Sequence, residues 1–157
     1  AHVHGAAVVA ALLHDVGKLV LAMRSPQNLA RALSGAAEEK KPQFEVEEEL
    51  MGVSHAEVGA YLLGIWGLPC PVVEAVAHHH RPERIPHDKL DAVGIVYIAN
   101  CLAHQHSGRA EAEGAPVYQS VDPEFLERLE LTEDFAEWEK IAEKAAKELQ
   151  GGRPVNI

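Results

Sequence analysis

Cysteine is scarce in this chain: Cys70 and Cys101 are the only two, and neither belongs to a CxxC pair. That excludes a disulfide scaffold and fits a reducing, cytoplasmic setting. Positive charge is also in short supply, with 14 Lys and Arg against 24 Asp and Glu and a formal net charge of -10. Broad non-specific binding to nucleic acid or to an anionic membrane surface rewards basic patches, so neither is expected. A small anionic ligand at a local cationic site stays compatible with that balance. No apolar run approaches the ~20 residues that span a bilayer, and no basic start leads into a cleavable apolar core. Heptad runs, internal repeats and β-like alternation are missing as well; Pro116-Val117-Tyr118 is too short to count as a strand.

What is present is a helical chain. Its 157 residues suit one domain, of a size that buries roughly two thirds of its unfolded surface. The start, Ala-His-Val-His, enters a helical pattern almost at once and reads as a piece of a longer signalling chain. Gly5 to Arg24 is apolar and helical, broken near Gly17. Ser25-Pro26 opens a short helix to about Leu33, and Ser34 to Pro42 reads as a loop. Phe44 to Met51 is a short acidic helix. Ser54 with Glu57 forms a capping box for a helix carrying Val58, Tyr61, Leu62 and Ile65 and stopping at Gly67. Pro71 opens a helix that reaches His80, and Pro86 to His106 reads as the longest helix. After a Gly-, Ala- and Glu-rich loop, two C-terminal helices fill 121 to 150, amphipathic and packed on the bundle; the alternative is a partner surface anchored by Trp138. The expected fold is all-α, a compact irregular bundle of about seven helices.

Ten His in 157 residues is an unusual number, and their placement matters more than their count. His14-Asp15 ends the run Leu12-Leu13, His55 follows the Ser54 cap, His78-His79-His80 ends an apolar helix, and Asn100 interrupts another. A charged Asp at the end of an apolar run is costly unless paired or coordinated. Imidazole and carboxylate are the usual ligands of iron, manganese and zinc. Asp15 as a bridge, with His14, His55, His79 and His80 around it, would make a site for one or two divalent ions. Taken singly, His55 reads as a capping or surface residue, and the triplet as a solvated helix end. His87, His104 and His106 lie in polar contexts and read as solvated.

LLHDVGKLVLA resembles the signature of the HD superfamily, and the ordered blocks HDxGK, HAEVGAYLL, GLPxxVVEAVAHHH and IVYIANxLAH resemble its HDOD branch over roughly residues 8 to 106. The resemblance implies an all-helical regulatory output domain, HD-domain-like, joined in signalling proteins to a receiver domain or other module. It is similar, more distantly, to the HD-GYP phosphodiesterases, which cleave cyclic-di-GMP at a multi-metal centre. Carried over, that pattern implies metal ligation by His14, Asp15, His55, His79 and His80, with Lys18 facing a substrate phosphate. Asn100 stands where those enzymes carry a ligating Asp, and the GYP loop is replaced by RPERIPHDKLD. The upstream His of the enzymes has no match, since His4 lies about 80° off the His14 face at ~3.6 residues per turn. These departures favour a regulatory module whose pocket is a degenerate phosphohydrolase site, holding one ion, two weakly or none, and which contacts a signalling partner or a phosphorylated small ligand. A metal-dependent phosphohydrolase is the alternative, and a purely structural metal is a third.

Overall fold

The computed structural model describes residues 2–106 and 117–151; the expected loop after His106 lies mostly outside them. The described residues are helical with no strand, as the all-α reading expects. In chain order the elements are α1 (His2–Leu13), α2 (Val16–Arg24), α3 (Pro26–Glu39), α4 (Gln43–Met51), α5 (His55–Ile65), α6 (Cys70–His78), a 3-10 turn (Pro82–Arg84), α7 (Ala92–His106), α8 (Pro123–Arg128) and α9 (Thr132–Gly151).

The main core is built from small residues, which lets the helices approach closely. Ala7 and Ala10 of α1, Ala60 and Leu63 of α5, Val72, Ala75 and Val76 of α6, and Ala92, Val93 and Val96 of α7 form one buried cluster. The other side of α7 carries a second, with Tyr97, Ile98, Cys101 and Leu102 against Val121, Phe125, Leu126 and Leu131. A helix that is apolar on opposite sides is a central helix, and α7 is the one. The Tyr97 hydroxyl accepts from the Asp122 N–H at 2.9 Å and donates to the Ser120 carbonyl at 3.4 Å, fastening the segment before α8 to it.

Local sequence accounts for the boundaries. The capping box forms as read: the Glu57 N–H donates to Ser54 Oγ, and the Ser54 N–H to Glu57 Oε2 at 3.0 Å. Gly67 ends that helix with φ +77°, while the Leu68 N–H reaches back to the Leu63 carbonyl at 3.1 Å. Elsewhere the structure corrects the sequence reading. The stretch 34–39 is the second half of α3, because Ala32 and Ala36, one turn apart, are buried against Val46 of α4. The helix stops only at Lys40, in the left-handed conformation. The helix expected from Pro86 starts at Ala92, because the Asp91 carboxylate takes the Gly94 N–H at 3.0 Å and caps it there. In α5 the buried side is His55, Ala56, Gly59, Ala60 and Leu63; Tyr61 and Ile65, read as the apolar stripe, are exposed. Trp138 is half-buried and packs against the second cluster with Phe135 and Ala142.

Taken together, Val3–Arg24 is long and apolar enough to cross a membrane by length and composition, which the reading of apolar runs did not anticipate. It is divided by the turn at His14-Asp15.

The two thiols are set apart by this packing. Cys70 is exposed, whereas Cys101 of α7 is buried in the second cluster and burial pushes its thiol up to about 12. Iodoacetamide at pH 8 is expected to label Cys70 alone in the native chain and both thiols in denaturant, counted by intact mass. Labelling of Cys101 without denaturant would show that the second cluster opens readily.

Candidate metal centre

Three chain turns meet at one place. The α1–α2 turn brings His14 and Asp15, the first residue of α5 is His55, and His79 and His80 directly follow α6. Helix α2 is held tightly on α5 because Gly17, without a side chain, sits against the backbone of His55 and Gly59. That contact sets Asp15, two residues before Gly17, beside the His55 ring.

The distances are those of a ligand cluster. Asp15 Oδ1 lies 3.2 Å from His55 Nε2 and 4.0 Å from His79 Nε2. Asp15 Oδ2 lies 2.7 Å from Lys18 Nζ and 3.6 Å from His14 Nε2. His80 Nε2 lies 3.0 Å from His55 Nε2. Two overlapping three-donor sets result, His55–His79–His80 and His14–Asp15–His79, each with its ligand atoms within 4.8 Å of one another. All five residues read from the sequence therefore converge. His78, the last residue of α6, takes part in neither set. His4, exposed near the start of α1, borders an apolar groove between α7 and α9 and is far from supplying an extra ligand.

The hydrogen bonds fix which nitrogen of each ring is free. His14 Nδ1 donates to the Ala11 carbonyl at 2.8 Å and His79 Nδ1 to the Val76 carbonyl at 2.7 Å. His55 Nδ1 faces Glu47 Oε2 at 2.6 Å, and a carboxylate can only accept. In the neutral rings all three Nδ1 atoms therefore hold the proton, and the free Nε2 atoms of His14, His55 and His79 lie 3.6, 3.2 and 4.0 Å from an Asp15 oxygen. Asp15 Oδ1 and His79 Nε2 are buried with no conventional hydrogen-bond partner. A buried acceptor without a donor is costly, and several acceptors aimed at one point suit a cation. The donor set fits a borderline divalent metal such as zinc, iron or manganese.

Electrostatics point the same way. Burial pushes the Asp15 carboxyl up, but the His55 ring and the Lys18 ammonium outweigh it and hold it well below the usual carboxylate range. Burial lowers His55, and the Asp15 and Glu47 carboxylates overcome that and raise it. Glu47 is lowered because the His55 bonds outweigh its own burial. Burial keeps His79 neutral down to about 3, and the same effect, with His79 and His55 beside it, drops His80 well below the ordinary value. Neutral His79 and His80 and an ionised Asp15 are the states a metal needs, whereas His55, held toward its charged form by Asp15 and Glu47, must release its Nε2 proton to ligate.

A small cavity of about 30 Å³ opens beside these groups, lined by Lys18, His55, His80 and Asn100, with Phe44 and Tyr118 among its other walls. That is room for a water molecule. The Phe44 ring stacks on His80 at 4.4 Å between centroids, and Tyr118 stacks on His104 at 4.1 Å. Asn100 thus stands at the edge of the site as the sequence suggested. His104 and His87 depart from the solvated reading: His104 lies under Tyr118, and the His87 side chain is fully buried between Asp91 Oδ2 and the Pro82 carbonyl, both at 2.8 Å. Sequence reasoning missed Glu47 altogether.

The family model described as HDOD domain matches residues 1–82. The match contains all five converging residues and Lys18, and it stops before Asn100. An uncharacterized protein of Treponema pallidum (strain Nichols) is 29% identical over 108 residues, covering 69% of this chain and 21% of that protein. A protein of Thermus thermophilus named ribonuclease Y is 32% identical over 127 residues, 81% of this chain and 16% of that protein. The chain thus spans about a fifth or less of the length of these relatives. No solved structure matches.

Proposed function

The chain belongs to the HDOD domain family, an HD-superfamily-related domain, and on that footing we propose that it is a regulatory signal-transduction output module built around a divalent metal pocket. His14, Asp15, His55, His79 and His80 hold the ion, which is iron, manganese or zinc. The module acts by binding a signalling partner, such as a receiver domain, or a phosphorylated small ligand. The observation that carries this reading is the convergence of three Nε2 atoms, each freed by an Nδ1–H bond, on the Asp15 carboxylate.

A bound divalent ion supplies positive charge and Lewis acidity at that point. The chain's own residues do the rest. Asp15 and the imidazoles tie the α1–α2 turn to the start of α5 and the end of α6, so occupancy and helix packing are linked. Lys18, at the cavity wall and bonded to Asp15, offers an ammonium to an anionic group entering there. The Asn100 amide supplies no negative charge at the cavity edge, and the GYP loop of the related phosphodiesterases is absent. Both features favour binding over turnover.

Phosphodiester hydrolysis is the second reading. It is favoured by the likeness to proteins named ribonuclease Y and by the placement of Lys18.

Metal analysis of tag-free protein tests the proposal. Near-stoichiometric iron, manganese or zinc is expected, without turnover of bis(p-nitrophenyl) phosphate or cyclic dinucleotides. Free metal a hundredfold above Kd adds about 2.7 kcal/mol of stability. For a domain of this size that raises Tm by about 5–10 °C, reversed by a chelator. Turnover that disappears on chelation would install the hydrolase instead, and protein that retains no metal and gains no stability from it would overturn both.

A further inference from the structure

Behind the pocket, on α4, sits a carboxylate with no access to water. Glu47 is 0% exposed. Its Oε2 accepts from the His55 backbone N–H at 2.7 Å and from His55 Nδ1 at 2.6 Å. Its Oε1 accepts from Gln43 Nε2 at 2.7 Å. A buried charge survives only when it is well hydrogen-bonded, and these three bonds engage both carboxylate oxygens. One oxygen that grips both the backbone and the ring of the same residue locks that ring relative to its own chain. It also settles the tautomer: with Nδ1–H committed to Glu47, the free nitrogen is Nε2, 3.2 Å from Asp15 Oδ1 and 3.0 Å from His80 Nε2.

We propose that Glu47 is the positioning residue of the site, holding His55 with Nε2 turned to the metal. The inference rests on the metal reading above. The competing view makes Glu47 a plain cap for the first N–H of α5. Outer carboxylates that orient a ligating His are worth about 10–100-fold in metal affinity. A cap alone is worth nothing to the metal.

Glu47→Gln in the full chain separates the two. The Gln carbonyl still accepts the backbone N–H, so the cap survives, but the amide is a weaker acceptor for the ring. Zn²⁺ affinity, measured by chelator competition, is expected to fall about 10–100-fold. Glu49→Gln, an exposed change on the same helix where Glu49 pairs with Lys41, is expected to leave it unchanged. Long-range ¹H–¹⁵N spectra of the metal-free protein give a second readout. Wild-type His55, titrated to its neutral form, is expected to carry its proton on Nδ1, and Glu47→Gln to show a mixture.

Unchanged Zn²⁺ affinity in Glu47→Gln, or a wild-type His55 protonated on Nε2, would overturn the proposal. If Glu47→Gln does not fold, the wild-type spectrum decides by itself. Should the wild type bind no metal, the functional reading fails, while the ring spectrum still tells whether Glu47 sets the tautomer.

Discussion

Gly17→Ala is expected to cost the protein more than about 3 kcal/mol, a large share of the about 5–15 kcal/mol that keeps a domain folded. An added Cβ at position 17 would fall on the His55 carbonyl oxygen and within 2.8 Å of the Gly59 nitrogen. These are backbone atoms of a helix, with no rotamer to yield. The Ala side chain brings a helix-propensity gain of about 1 kcal/mol, which works in the opposite direction. Overpacking against yielding side chains costs about 1–3 kcal/mol, and a backbone obstacle exceeds that, so the clash wins. Gly59 on the facing helix is a built-in control. Its added Cβ would meet Gly17 N at 3.1 Å and two Val methyl groups at 3.2 and 3.4 Å. Gly59→Ala should therefore cost less, in the ordinary overpacking range of about 1–3 kcal/mol. Urea denaturation followed by circular dichroism ranks the two. A Gly17→Ala loss below about 1 kcal/mol would mean that α2 shifts freely on α5, and the close contact would then not be what places Asp15 at His55.

The same contact explains what the sequence could and could not disclose. His14-Asp15 was legible because an ionisable pair at the end of an apolar run has a physical cost that only a partner removes. His79 and His80 were legible as a cluster, and His55 only through the family pattern. Its neighbours Ser54 and Glu57 announced the helix start, but nothing local announces that an N-terminal imidazole points inward. Glu47 was hidden by its setting. In FEVEEEL, one acidic residue in four is buried, and periodicity cannot say which, because the partner that compensates it lies eight residues on at His55. The α5 face was misassigned for a related reason. Helical periodicity selects the large residues as the buried stripe, whereas a helix that approaches its neighbours closely buries Ala and Gly and leaves Tyr61 and Ile65 outside. The reading of 34–42 as a loop rested on composition, and tertiary burial of Ala32 and Ala36 overrode it. His87 looked solvated among Pro, Asp and Lys, yet its two nitrogens serve Asp91 and the Pro82 carbonyl. Local polarity does not report long-range partners.

Asp15→Ala is expected to remove metal binding by more than the about 10–100-fold that an outer partner is worth, because the carboxylate is the one anionic donor among the converging groups. The metal-free protein suffers as well. Asp15 bonds Lys18 at 2.7 Å and lies 3.2 Å from His55 Nε2, and charge-assisted bonds of this kind contribute about 1.5–3 kcal/mol when buried. Its side chain is 37% exposed, so solvent screening brings the expected loss to about 1–2 kcal/mol. The pH dependence carries a sign that a simple cavity would not. Asp15 is lowered in the folded state, so its contribution is present above its ordinary value of 3.8 and is lost as pH falls through the folded value. His55 is raised, so its contribution is complete below 6.5 and is lost as pH rises through its folded value. The stability gap between wild type and Asp15→Ala should therefore be widest between about pH 5 and 6.5 and narrow on both sides. Removing Asp15 should also lower the His55 pKa, since one of its two carboxylates is gone, a change read directly by NMR titration. A gap that is flat from pH 4 to 9, with His55 titrating as in the wild type, would mean that Asp15 and His55 are not coupled, and the pocket would lose the pair on which its metal chemistry is built.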